Sequence, residues 1–587
     1  MSDYDIVIRG GTVFDGEGGQ PFTADVAVKD GKIAVVGTVT GTGAEEIDAV
    51  GKMVTPGFVD IHTHYDGQVT WDQHLSPSSG HGVTTVLMGN CGVGFAPCRA
   101  DQRATMIDVM EGVEDIPGVV MAEGLPWTWE TFPEYLDFLD TRETDVDFGA
   151  QVPHVPLRVY AMGKRGVNRE PAKPADIATM KQLVKEGMEA GALGFSSSRS
   201  LGHRTASGDV VPSTTASEDE LLGICLALKE LGRGLIHTAT DFDTSNGLSS
   251  EFMLLRRVAE ATGRPFFFPL LEYPDAPDRW RWLNQATIEA NAAGARMYGQ
   301  VVGRPVGLLY GLELTTNPFS GSKTYQSIAH LPLAERLVEM KKPEVRAAIL
   351  ADEPFLEDER VLNLSRSIAE MYPMGNPPNY SPSYDDRFDV KAGALGLTDP
   401  YEVAYDYLLG DNGKAIIYHP ARNFTYYNLD VVHEMLQSDG TVLGLGDGGA
   451  HLGRICDGSM QTFMLTYWTR DRDGPRLELP WVIRKMTSEP ADIIGFRDRG
   501  RVKEGFKADL NVIDYEKLYL HPPHPVQDLP AGGTRLQQTA DGYVVTILSG
   551  VVTFRGGETT GKFPGRLIRG ERDAPEAQRE LVSSQAG

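Results

Sequence analysis

Val54-Thr-Pro-Gly-Phe-Val-Asp-Ile-His-Thr-His64 decides how the rest of the chain is read. It begins as an apolar run rich in β-branched residues and ends on two histidines separated by one threonine. Side chains at i and i+2 of a strand project to the same side. His62 and His64 are therefore expected to lean out together from one strand end, with Thr63 turned away. Two neutral imidazoles at that spacing can hold one metal ion. Pro56 and Gly57 mark the entry to the strand.

Downstream, apolar segments of strand length alternate with segments of helical period, the pattern of an α/β barrel. Strands are expected at Val83 to Cys91, Phe148 to Met162, Gly191 to Ser198 and Gly234 to Ala239. Further ones are expected at Pro265 to Leu271, Met297 to Val302, Lys414 to Tyr418 and Thr441 to Asp447. Helical spacing is found over Phe132 to Leu139, Ala175 to Ala190, Asp219 to Leu231, Phe252 to Ala261 and Arg279 to Ala293. The alternation breaks over about 308–413, a stretch long enough to be functional and read as a lid or subunit-contact segment.

Short strands cluster at both ends of the chain, at Ile6 to Ile8, Asp25 to Val36, Val502 to Ile513 and Val544 to Phe554. Neither cluster could close a sandwich alone, and together they could form one small β domain. Asn511 to Asp514 and Asp541-Gly542 read as turn or edge material. The division expected is 1–55 with 499–570 as the β unit, 56–498 as the barrel, and 571–587 as a polar, disordered tail.

The motifs Val83-Thr-Thr-Val-Leu-Met-Gly-Asn-Cys-Gly92, Ala96-Pro97, Gly191-Ala-Leu-Gly-Phe-Ser-Ser-Ser198 and Gly446-Asp-Gly-Gly449 stand beside the His-x-His strand. With them the chain resembles the amidohydrolase superfamily and, within it, the D-aminoacylase (N-acyl-D-amino-acid deacylase) group, from about Tyr4 to about Arg569. The resemblance implies a (β/α)8 TIM-like metal-dependent hydrolase barrel flanked by a composite β-sandwich. It assigns Asp447 the roles of metal ligand and proton shuttle, and Cys91 that of a metal-bridging thiolate. It makes His237, in Leu235-Ile-His-Thr238, a further candidate ligand, although a lone histidine in an apolar strand is more often a core residue. The sequence departs from the superfamily at two points. Phe266-Phe-Phe-Pro-Leu-Leu-Glu272 carries no histidine, and Gly194-Phe-Ser-Ser-Ser-Arg199 carries no lysine to be carbamylated. One zinc ion held by His62, His64 and Asp447, with Cys91 as a further donor, is therefore expected, and two zinc ions are the alternative.

The reaction that this implies is hydrolysis of N-acyl amino acids, of D configuration, to a carboxylate and the free amino acid. The substrate carboxylate needs a cationic partner, and arginine suits planar bidentate binding. Arg199, Arg304 and Arg422 are the candidates near strand ends, and His203 and His451 follow rim motifs that could line the pocket. Two other readings stand: a cyclic-amide hydrolase of hydantoinase or dihydropyrimidinase type, and a non-catalytic barrel scaffold.

The totals narrow the field. A net charge of −26 over 587 residues argues against nucleic acid and anionic membranes as partners. There is no apolar run of about 18 residues and no basic-then-apolar N-terminus, so a cytoplasmic protein without membrane contact is expected, with a homo-oligomer left open. Four cysteines in such a length favour free thiols, with Cys98, Cys225 and Cys456 structural.

Overall fold

The computed structural model describes residues 2–242, 247–355, 362–363 and 367–576. The last eleven positions of the expected tail lie outside them. Among the described residues, eight parallel strands follow one another round a barrel. They are Phe58–Asp60, Val83–Met88, Asp147–Ala150 running on into Val152–Pro153, Gly194–Ser198, Leu235–Ala239, Phe266–Pro269, Met297–Val301 and Thr441–Leu443. Neighbours pair in parallel throughout, as with Ser196 beside His237 and Gly299 beside Thr441. These strands read as continuous apolar runs because helices and loops cover their outer face while their inner side chains fill the barrel.

The seam between the last strand and the first is made beyond their regular ends. Thr63 bridges Gly448 in parallel. The His64 N–H donates to the Gly448 carbonyl at 2.7 Å, and the Asp447 N–H donates to the His62 carbonyl at 3.0 Å. The residues closing the barrel are therefore the ones singled out for chemistry.

A nine-stranded sheet draws on both ends of the chain. Met53–Pro56 and Leu510–Ile513 meet antiparallel at its centre, Val54 opposite Val512. Leu510–Ile513 is thus an interior strand, and the expectation of turn or edge material is corrected for residues 511–513. Asn511 is tolerated because its amide is satisfied across elements, donating to the Gly82 carbonyl at 2.9 Å and accepting from Thr546 at 3.0 Å.

Three further expectations are revised. Phe148 to Met162 is strand only to Pro153; His154–Met162 is a helix. The run near Lys414 to Tyr418 is no barrel strand. Ile417–Arg422 pairs antiparallel with Val306–Tyr310 and belongs to the long insertion, whose helices share a separate core around Tyr310, Tyr325, Met340 and Tyr405. The segment from 571 is anchored at its start, since Glu571 accepts from the Gly234 N–H and pairs with Arg264 at 3.1 Å. Among the described residues no helix is long and apolar enough to cross a membrane.

Candidate metal centre

The side chains at the barrel mouth converge as the period-two argument requires. Thr63 turns to the second strand, its hydroxyl donating to the Leu87 carbonyl at 2.9 Å, while His62 and His64 point into the mouth, each 1% exposed. Cys91 follows the second strand in a left-handed conformation, φ +55°. Gly92 continues that turn at φ +68°, and a Cβ there would lie 2.7 Å from the carbonyl carbon of Ser197. This close packing presses the thiol against the imidazoles. One donor atom each from His62, His64 and Cys91 fall within 4.8 Å of one another, and all three residues are buried. Cys91 Sγ is 3.5 Å from His62 Nε2.

Asp447 completes the group from the other side of the seam. Its Oδ1 lies 3.3 Å from His62 Nε2 and 3.7 Å from His64 Nε2, with 22% of the side chain exposed. It too has a left-handed backbone, φ +46°, as does His451 at +52°. Strained non-glycine residues of this kind are retained where the surroundings over-determine them, commonly at functional sites. The His237 ring packs edge-on to His62 at 4.7 Å, and its buried Nε2 has no hydrogen-bond partner among the described residues.

Two neighbours went unnoticed in the sequence. Gln300, near the end of the seventh strand, places Oε1 2.7 Å from His62 Nδ1, which fixes Nε2 as the free nitrogen facing Cys91 and Asp447. A polar residue near the end of an otherwise apolar barrel strand was the signal available. Glu114 places Oε1 3.4 Å from His64 Nδ1 and is 2% exposed. No motif marked it.

The charges are unbalanced in a way that fits a cation. Burial drives the His62 imidazole down to about 4 and His64 and His237 well below the usual range, so all three are neutral at pH 7. Burial pushes the Asp447 and Glu114 carboxyls and the Cys91 thiol well up, and nearby acids add to it: Asp457 and Asp60 for Asp447, Asp447 and Asp66 for Glu114, and Glu114, Asp447 and Asp66 for Cys91. Among the described residues, the only ion-pair partners of Asp447 and Glu114 are histidines that burial keeps neutral. A divalent ion among these donors would supply the missing positive charge, and imidazole with thiolate is a zinc-type donor set.

The expected substrate-binding residues divide. Arg199 is committed to Glu251 at 2.6 and 3.0 Å and to the Ala216 carbonyl. Arg304 is fully buried against Asp457, Ser459 and the Cys456 carbonyl, under the ring of Tyr380. Neither guanidinium is free for substrate, because a buried cation must be paired and these are paired within the protein. Arg422 differs. It stacks on Tyr273 at 4.6 Å, the ring that Arg279 also meets at 4.4 Å, and among the described residues neither arginine forms an ion pair with a carboxylate. His203 is held by Ser198 at 2.8 Å and His451 faces Glu114 at 3.7 Å, both on the mouth side of the barrel. Glu272 lies just past the sixth strand. It accepts from the Thr425 N–H at 3.2 Å and holds the loop after Arg422.

Fold and site together define a barrel protein with a buried imidazole–thiol–carboxylate cluster at its C-terminal mouth. The amidohydrolase family model matches residues 45–554, and the chain belongs to that family. An uncharacterized protein of Mycobacterium tuberculosis is 28% identical over 95% of this chain and 93% of its own length. A D-aminoacylase of Alcaligenes xylosoxydans xylosoxydans is 30% identical over 39% of this chain and 43% of its own. Among solved structures, an N-acyl-D-glutamate deacylase from Bordetella bronchiseptica, complexed with zinc and a phosphonate inhibitor, superposes with a TM-score of 0.64 at 21% identity, covering 96% of this chain and 99% of that one. A D-aminoacylase superposes with a TM-score of 0.60, also at 21% identity, over 97% and 100% of the two chains. These structural likenesses concern the fold.

Proposed function

We propose that this protein is a zinc-dependent hydrolase of N-acyl amino acids, of D configuration, releasing a carboxylate and the free amino acid. The observation that carries the reading is the approach of Asp447 to the Nε2 atoms of both His62 and His64 across the barrel seam, at 3.3 and 3.7 Å. His62, His64, Cys91 and Asp447 would hold one ion, with His237 beside them. A divalent ion held there polarises an amide carbonyl and acidifies a water.

The protein's own groups supply the rest. Asp447 is partly exposed, and it takes the proton of the attacking water and hands it to the departing amine. Gln300 keeps His62 in the tautomer that leaves Nε2 free. Arg422, with Arg279 on the same ring, binds the substrate carboxylate by charge-assisted hydrogen bonds. The partial likeness to relatives named D-aminoacylase and N-acyl-D-aspartate deacylase supports this substrate class.

A carbamylated-lysine site of the cyclic-amide hydrolase kind finds no support on the fourth strand. Ser196, Ser197 and Ser198 occupy it and bond to Gly89, His154 and His203. The test is a panel of N-acetyl-D- and N-acetyl-L-amino acids with hydantoin and dihydrouracil, assayed on zinc-loaded protein. Release of D-amino acids is expected. Ring opening alone would refute the reading, and zinc-free protein inert in every chelator-sensitive assay would favour a scaffold.

A further inference from the structure

We propose that Glu114 is a positioning residue that locks His64 to the Asp447 turn, an inference that rests on the metal reading above. The helix Arg103–Glu114 ends at Glu114, and Asp115 stops it by taking φ +54°. The last carbonyls of a helix have no partner within it. The Glu114 carbonyl uses that freedom to accept the His451 N–H. Its carboxylate reaches the same two elements through its side chain. Oε1 stands 3.4 Å from His64 Nδ1, and Oε2 stands 3.7 Å from His451 Nε2.

Three observations give this arrangement a purpose. Among the described residues, buried His64 Nδ1 has no hydrogen-bond partner, and Glu114 is the acid that faces it. A carboxylate accepting the Nδ1 proton fixes the tautomer that leaves Nε2 free, the nitrogen that faces Asp447. His451 lies on the turn begun by Asp447, where the Ala450 N–H donates to the Asp447 carbonyl at 3.0 Å and both Asp447 and His451 are left-handed. The helix bearing Glu114 is itself clamped. Asp108 accepts from the Ala206 N–H through its carbonyl at 2.9 Å and from the Ser207 N–H and hydroxyl through its carboxylate. Glu114 thus presents a fixed acceptor to His64, on the first side of the barrel seam, and to the turn on the other side. His62 has the matching support from the Gln300 amide, so an amide oxygen faces one imidazole and a carboxyl oxygen the other.

The experiment measures the zinc dissociation constant by chelator competition for wild type, Glu114→Gln and Glu114→Met, beside the unfolding temperature of each zinc-free protein. Glu114→Met is expected to weaken zinc by about 10–100-fold, the usual cost of losing such an outer partner. Glu114→Gln keeps an acceptor without the charge and is expected between the two; being nearly isosteric, it decides the matter if the methionine variant does not fold. A lowered unfolding temperature with unchanged zinc affinity would overturn the inference, since packing alone would then explain the residue. A loss well beyond 100-fold would also overturn it, by making Glu114 a ligand rather than an orienting group. Wild type that binds no zinc removes the metal reading and this inference together. Zinc binding that responds to Glu114 in a protein that hydrolyses no N-acyl amino acid would leave the inference standing while the deacylase reading falls.

Discussion

Replacing Gly446 by alanine should break the seam on which the site is built. The added Cβ would sit 1.9 Å from Asp60 Oδ2 and 2.9 Å from its Cγ. Ordinary contact needs about 3.5 Å, so the two groups must part by roughly 1.5 Å. Asp60 cannot swing away freely. It is 2% exposed, its Oδ1 accepts from the His62 N–H at 3.0 Å, and its Oδ2 accepts from Gln461 at 3.3 Å. Either those bonds break or the strand end carrying Asp447 shifts away from His62. Overpacking of this kind costs about 1–3 kcal/mol, and a displacement of about 1 Å at a reacting group costs about 100-fold in turnover. Denaturant midpoints and turnover of the N-acyl-D-amino acid found in the panel give both numbers. Gly393→Ala is the control. It lies in the helix Phe388–Ala394, where an added Cβ meets none of the described residues within 4 Å, and it should be neutral or stabilising by up to about 1 kcal/mol. Wild-type stability and turnover in Gly446→Ala would refute the reasoning.

Three other substitutions bear on the site and its frame. Asp447→Asn should lower turnover by about 10²–10⁴-fold with the circular dichroism spectrum unchanged, and His62→Ala should abolish both turnover and tight zinc binding; normal turnover in either contradicts the assigned site. Arg422→Gln should raise KM about 10–100-fold for an N-acyl amino acid and leave its carboxamide analogue unaffected, a split that equal effects on the two compounds would disprove. Asp147 joins the third barrel strand to Arg499 and Lys507, each at 2.8 Å. Burial alone would raise its carboxyl, but the two cations outweigh it and hold the pKa at about 2. A depressed acid contributes stability above its unfolded pKa of about 4 that is lost as pH falls through about 2. Asp147→Asn should therefore destabilise at pH 7, by less than the ~3–5 kcal/mol of a fully broken buried pair because Asp498 and Asp509 remain, and should flatten acid unfolding between about pH 4 and 2. An unchanged acid-unfolding curve would count against that assignment.

What could be read along the chain was what depends on near neighbours. The His62–His64 spacing needs only the two-residue repeat of a strand, and Cys91 sits in a short motif that carries its own tight turn. The strands Val83–Met88, Gly194–Ser198 and Leu235–Ala239 announce themselves by unbroken apolar or small-residue runs. The interior position of Leu510–Ile513 and the sheet that Ile417–Arg422 joins escaped the sequence for one reason. A strand's residues do not state which strand it will pair with, and the first of these finds Met53–Pro56 while the second finds Val306–Tyr310.

The chain by itself therefore determined an α/β barrel of the amidohydrolase kind and a pair of histidines poised at a strand end. Only the tertiary structure decided which charges remain for chemistry. Arg199 and Arg304 stand near the rim as their positions suggested, yet Glu251 and Asp457 neutralise them, and Glu114 and Gln300 take up orienting places that nothing around them in sequence marks. The physical reason is that pairing and desolvation depend on distance in space. Hydrogen bonds between the turn at Gly448 and the strand end at Thr63 set that distance for His62 and Asp447, and residues adjacent along the backbone do not.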